Sequence, residues 1–168
     1  MMQFKTPRLT VRPLCDSDKV KMLEMLYDEH IKRTYMIPDF KSPADAERLF
    51  DTFVRLSHAA DRYVGGICLD DRLIGFINDT EIEKDRIELG YVIALEYQNK
   101  GFCTEALQGT VKYLFEQGFS EVICGAFEEN AASIRVMQKC DMSILKKTDV
   151  IEYRGTSHRC VYYSIKKS

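Results

Sequence analysis

Gln98-Asn99-Lys100-Gly101-Phe102-Cys103-Thr104-Glu105-Ala106 lies between two strongly patterned runs of the chain. Ahead of it, residues 86–93 are apolar enough for a central strand. Behind it, Leu107, Val111, Leu114 and Phe115 share one face of a helix that Gly118 closes. The first N–H groups of such a helix have no intrahelical partner, and the positive end of the dipole lies behind them. The joint is therefore shaped as an anion cradle, suited to a pyrophosphate. Gly101 removes the Cβ that would block close approach, and Lys100 can add charge. Many strand–loop–helix joints carry a glycine and bind nothing, so the loop alone leaves both readings open.

Working outward, residues 9–14 alternate as a strand does, and a helix is expected from about 17 to 30, with Val20, Leu23, Leu26 and Tyr27 at helical spacing. Ser42, Pro43 and Asp45 mark a second helix start, followed by an apolar stripe from Ala46 to Leu56. Residues 64–69 and 73–77 read as a hairpin about Asp70-Asp71-Arg72. The charged run 81–85 reads as the hairpin's solvated neighbour, a loop or loop edge. After the strand at 86–93 and the helix that follows Gly101, a strand is expected at 121–127. Asn130 then caps a short helix, and two strands follow near 142–152 and 158–165. The pattern is one α/β (α+β) domain over 1–168, with about seven strands in a mixed sheet and about four helices.

Composition narrows the function. The chain has 168 residues, 45% of them hydrophobic and 30% charged, the balance of an ordinary globular protein. Its formal charge of −2 argues against nucleic acid as the main partner. The six cysteines form no CxxC pair and the three histidines are far apart, so metal-ligand spacings are missing and no metal is expected. No run approaches the roughly 18 apolar residues of a membrane span. With no signal-peptide pattern and cysteines most simply reduced, a cytoplasmic location is expected.

Four motifs, in order, resemble one family. Gln98-x-x-Gly101-x-Cys103 is similar to the acyl-CoA pyrophosphate loop of the GNAT N-acetyltransferases, and Gly101 to Ala106 resembles the G-Y-A-T-E-A of the ribosomal-protein alanine acetyltransferase branch. Thr6 to Leu14 resembles that branch's opening T-x-R-L-x-L-R-P, and Glu88 to Ile93 its central E-x-G-Y-W-I strand. Asn130 to Lys139 resembles its N-x-x-S-x-x-x-x-x-K helix. The resemblance implies a mostly antiparallel sheet whose fourth and fifth strands, here 86–93 and 121–127, splay apart at one end. Acetyl-CoA would lie there, its pantetheine arm along Tyr91 and Ile93 and its pyrophosphate on Gln98, Asn99, Lys100, Gly101, Phe102, Cys103 and Thr104. Asn130 and Ser133 would flank the thioester. The implied reaction is direct acetyl transfer to a primary amine, either a protein N-terminus or a small molecule, by a monomer or homodimer. The alternative is a non-catalytic acyl-CoA sensor of the same fold. Two departures stand out: Cys103 replaces a small loop residue, and Asp141 stands where the family has a glycine.

Attack on a thioester needs a neutral amine, so a proton acceptor is required. Glu88 is the base candidate, a lone carboxylate in an apolar strand. It equally suits a solvated strand face, since strand residues alternate sides. Ser133 is the acid candidate by resemblance, and otherwise a first-turn serine supporting the Asn130 cap. The tyrosine that many GNAT enzymes use as acid is replaced by Met137. The resemblance implies a second acidic residue from the strand after this helix; Asp149 and Glu152 are the choices here and, three residues apart, should face opposite sides. Tyr162-Tyr163 reads as sheet packing rather than an aromatic cage.

Overall fold

Asp70 and Asp71 both stand at positive φ, 47° and 63°, as the central pair of a tight hairpin turn must. They join β3 (Gly65–Leu69) to β4 (Arg72–Glu83) in a computed structural model that describes residues 1–168. β4 corrects the sequence reading. Glu81-Ile82-Glu83 belongs to the strand, and the chain turns only at Lys84, at φ 56°. From Thr80 onward every residue of β4 is exposed, so the apolar alternation that signals a strand is lost while the backbone stays extended.

The expected helix at 17–30 is broken. A 3₁₀ turn at Asp16–Asp18 leads into α1 (Lys19–Tyr27), and α2 (Glu29–Lys32) follows separately. Asp28 makes the break: its backbone is extended, and its carboxylate accepts the N–H groups of His30 and Ile31. At α3 (Pro43–Ser57) the cap is as read, with the N–H of Ser42 donating to Asp45 Oδ2 at 2.8 Å.

The remaining elements are β1 (Phe4–Lys5), β2 (Thr10–Arg12), β5 (Arg86–Ile93), α4 (Phe102–Glu116), β6 (Glu121–Phe127), α5 (Ala131–Lys139), β7 (Ser143–Tyr153) and β8 (Thr156–Lys166). The strand order is β1-β2-β3-β4-β5-β6-β8-β7. The strand count is eight because the two-residue β1 pairs with β2, and five helices replace the expected four because of the break at Asp28. The strands expected as fourth and fifth are therefore β5 and β6. They pair in parallel from Arg86↔Glu121 to Leu89↔Cys124, and there the ladder stops, while β6 continues against β8 to Phe127↔Cys160.

The chain forms two compact units. The first, Met1–Asn78 with Tyr91–Ala106, is built on Leu14, Met22, Leu26, Phe50, Phe76 and Val92. The second, Asp79–Gly90 with Leu107–Ser168, includes a smaller cluster of Ile123, Phe127, Cys160 and Tyr162 on one sheet face. All six cysteines are free thiols.

Candidate active site

In the first unit, the loop ahead of α4 is fastened from a distance along the chain. Glu105, in the first turn of α4, accepts the Thr6 hydroxyl at 2.6 Å and the Arg8 N–H at 2.8 Å through one oxygen. Its other oxygen accepts Arg8 Nε at 2.6 Å. Arg8 also donates to the carbonyl of Lys100 at 3.1 Å and lies 4.5 Å from the centre of the Phe102 ring. Burial pushes the Glu105 carboxyl up, but the bonds from Thr6 and Arg8 outweigh it and leave the group below its ordinary value. Two of the motifs quoted above, Thr6-Pro7-Arg8-Leu9 and Thr104-Glu105-Ala106, are thus halves of one staple. Sequence reasoning gave neither Arg8 nor Glu105 a role.

The stapled loop has the backbone a cradle needs. Asn99 stands at φ 60° and Gly101 at φ 79°. A Cβ built on Gly101 would come 3.3 Å from the Arg8 guanidinium. Gln98 turns its amide back to donate to the Ile93 carbonyl at 3.0 Å, closing the end of β5. The Lys100 ammonium donates to the Glu96 carbonyl at 2.8 Å, so its charge is held at the preceding 3₁₀ turn, Leu95–Tyr97. Cys103 and Thr104 sit half-buried in the first turn of α4, next to the exposed Gly101 and the buried Phe102. Tyr91 is half-buried and Ile93 buried on β5.

In the second unit, strand register settles which way Glu88 faces. Glu88 pairs with Ile123, and Ile123 with Ser164, so the three share a sheet face with Tyr162 and Cys160. Cys160 pairs with Asp149, which brings that carboxylate to the same face. Glu88 accepts the Thr80 hydroxyl at 3.2 Å and lies 4.0 Å from the Lys147 ammonium. Lys147 is also 3.8 Å from Asp149 and 4.2 Å from the centre of the Tyr162 ring. The Tyr162 hydroxyl donates to Asp149 at 2.8 Å. Burial raises the Glu88 pKa, with Lys147 and Thr80 pulling the other way and Glu81 and Asp149 adding to the rise. The side chain keeps 19% of its exposure, so it is neither sealed nor freely solvated.

Asp149 and Glu152 separate as their spacing predicts: Glu152 accepts the Ser157 hydroxyl near the β7–β8 turn and takes no part in the Glu88 group. Tyr162 packs in the sheet as its sequence reading has it, and its ring also faces the Lys147 ammonium. Gly125 permits this. It pairs with Tyr162, and a Cβ there would meet the ring at 2.9 Å. Lys147 was missed altogether, since nothing in the sequence marks the irregular register of β7 around it.

α5 begins as expected. Asn130 caps it, its side-chain oxygen accepting the Ser133 N–H at 3.1 Å, and Asp141 takes the left-handed conformation at φ 58° that a glycine would otherwise fill. Met137 is fully buried in the core.

The chain is 29% identical over 172 aligned positions to the N-acetyltransferase YoaA of Bacillus subtilis (strain 168), covering 98% of this chain and 96% of that one. It is 25% identical to YdaF of the same organism, named as a ribosomal N-acetyltransferase, covering 95% and 91%. The crystal structure of a GNAT-family acetyltransferase from Bacillus anthracis superimposes with a TM-score of 0.85 at 25% identity, covering 98% of each chain. Residues 8–143 match the acetyltransferase (GNAT) domain family, and the chain is a member of that family of acetyltransferases.

Proposed function

We propose that residues 1–168 act as one acetyltransferase domain, moving an acetyl group from acetyl-CoA to a primary amine, with Glu88 as the base. The observation that carries this reading is the half-buried Glu88, held by Thr80, with its pKa raised by burial. A carboxylate in that state has more affinity for a proton than a solvated one, as a general base working near neutral pH requires.

The stapled loop would take the CoA pyrophosphate on the N–H groups at the start of α4, where the helix dipole favours negative charge. The residues present suit such an anion: the positive backbone angles of Asn99 and Gly101 open the loop, and the Arg8 guanidinium lies behind it. Glu88 takes a proton from the acceptor's ammonium. The freed amine nitrogen adds to the thioester carbonyl carbon, and the carbon–sulfur bond breaks with its electron pair leaving on sulfur. The second proton shed by nitrogen neutralises the thiolate, with the Ser133 hydroxyl as its carrier. The name of YdaF favours an amine of a ribosomal protein as the acceptor.

The test is free-thiol release from acetyl-CoA against a panel of small amines and peptides with free N-termini, with Gly101→Glu as control. Release that depends on one acceptor and disappears in the control supports the reading. Tight acetyl-CoA binding with no release across the panel would instead make the protein an acyl-CoA sensor.

A further inference from the structure

The group around Lys147 is more than a support for Glu88. We propose that the Lys147 ammonium occupies the seat of the acceptor's own ammonium, so that Lys147 is a resident competitor which the incoming primary amine displaces. The inference rests on the acetyltransferase reading above and names the acceptor's recognised group: a primary alkylammonium, the group now seated there.

The seat has three walls: the Glu88 carboxylate at 4.0 Å, the Asp149 carboxylate at 3.8 Å and the face of Tyr162 at 4.2 Å. Two carboxylates and an aromatic face are what a protein uses to recognise an alkylammonium. Each carboxylate has its own neutral partner, Thr80 for Glu88 and the Tyr162 hydroxyl for Asp149. The walls therefore stand without the lysine. The lysine is held loosely. Both ion-pair distances are at the long end of the range, and its side chain is 49% exposed. Pairs of that kind contribute little, which suits an occupant that has to leave.

Local backbone explains how the lysine comes to be there. Ile144 pairs with Tyr163 and Thr148 with Val161, so β7 takes four steps where β8 takes two. Lys147 lies in this bulge. A bulge re-aims a side chain and disrupts the ladder around it, leaving that segment easier to displace than a paired one. The opposing strand is fixed: Tyr162 is buried and lies across Gly125.

The experiment uses the whole protein with Lys147→Met, which keeps the stem and removes the charge, and Lys147→Gln as a second neutral variant. Binding of n-butylammonium is titrated without acetyl-CoA, followed by NMR of the tyrosine ring signals. Both variants should bind it about three- to fivefold more tightly than wild type, the scale expected for release of one exposed ion pair. Adding Asp149→Asn to Lys147→Met should abolish that gain. In thiol release, the KM for the preferred acceptor should fall by a similar factor, whether that is a small amine or a peptide N-terminus. The acid limb of kcat should also move to higher pH, because Lys147 no longer favours the charged form of Glu88; Thr80, Glu81, Asp149, Tyr162 and Cys160 are the other groups bearing on that face. Equal or weaker butylammonium binding by both variants, with KM unchanged or raised, would overturn the proposal. If wild type releases no thiol with any acceptor while the variants still gain butylammonium affinity, the seat stands and the acetyltransferase reading falls.

Discussion

The loop before α4 and the sheet face around Glu88 are both built from charged and polar side chains, yet they are fastened differently. At the loop, Glu105 collects three donors at 2.6 to 2.8 Å, and Arg8 divides itself among Glu105, the Lys100 carbonyl and the Phe102 ring. At the sheet face the ammonium of Lys147 stands 3.8 to 4.0 Å from its carboxylates. Short, charge-assisted bonds hold a fixed shape, whereas long ion pairs leave their members free to exchange partners. The difference fits a division of labour. In the function proposed above, the loop would have one unchanging task, to meet a pyrophosphate, while the sheet face would take a proton and admit an acceptor.

Gly101→Glu should break the first region most severely. It places a side chain at φ 79° and a carboxylate where the proposed pyrophosphate would bind. Acetyl-CoA affinity, read by calorimetry, should fall by more than about 100-fold, because a favourable electrostatic site becomes a repelling one. Gly101→Ala separates the two causes: it keeps the backbone strain without the charge, and should lose much less.

Glu105→Ala attacks the staple and should appear in stability as well as in binding. Three donors lose their acceptor, at a cost of about 2 kcal/mol, which for a chain of this length lowers Tm by roughly 4–8 °C. The pH dependence has a definite sign. The folded-state pKa of Glu105 lies below its unfolded value of about 4.5, so its contribution is complete above that value and is lost as pH falls through the folded pKa. The gap between wild type and Glu105→Ala in urea melts should therefore narrow in acid. A constant gap from neutral pH down to pH 3 would mean that the charge of Glu105 is not what holds the loop.

Tyr162→Phe sharpens the second region with the smallest change. It removes the bond to Asp149 and leaves the ring beneath Lys147. Since Asp149 is half-exposed, the stability loss should be about 0.5 kcal/mol. The main effect should be a modest rise in acceptor KM with acetyl-CoA binding unchanged.

How far the sequence showed these regions follows from how each is made. The strand–loop–helix joint was legible because a strand, a glycine and a helix stand in one short stretch, and local features such as the Asn130 cap and the left-handed Asp141 were legible for the same reason. The staple was not, since Glu105 reaches residues 97 and 99 positions away. Glu88 could be named as a candidate, but the face it occupies depends on the register Glu88↔Ile123↔Ser164, which no single strand contains. Lys147 needed more still, for the bulge in β7 breaks the alternation from which its side would have been read. The run 81–83 misled because an extended strand clothed in charge has the composition of a loop.

The measurement that tests this division most directly is made on Glu88→Gln: acetyl-CoA binding by calorimetry, and thiol release with the preferred acceptor in a single turnover, on the same sample. Binding should match wild type, while release should slow by about 100-fold or more and lose the acid limb of its pH profile. Release at the wild-type rate would show that Glu88 is not the base, and lost binding would show that the two regions do not divide the work.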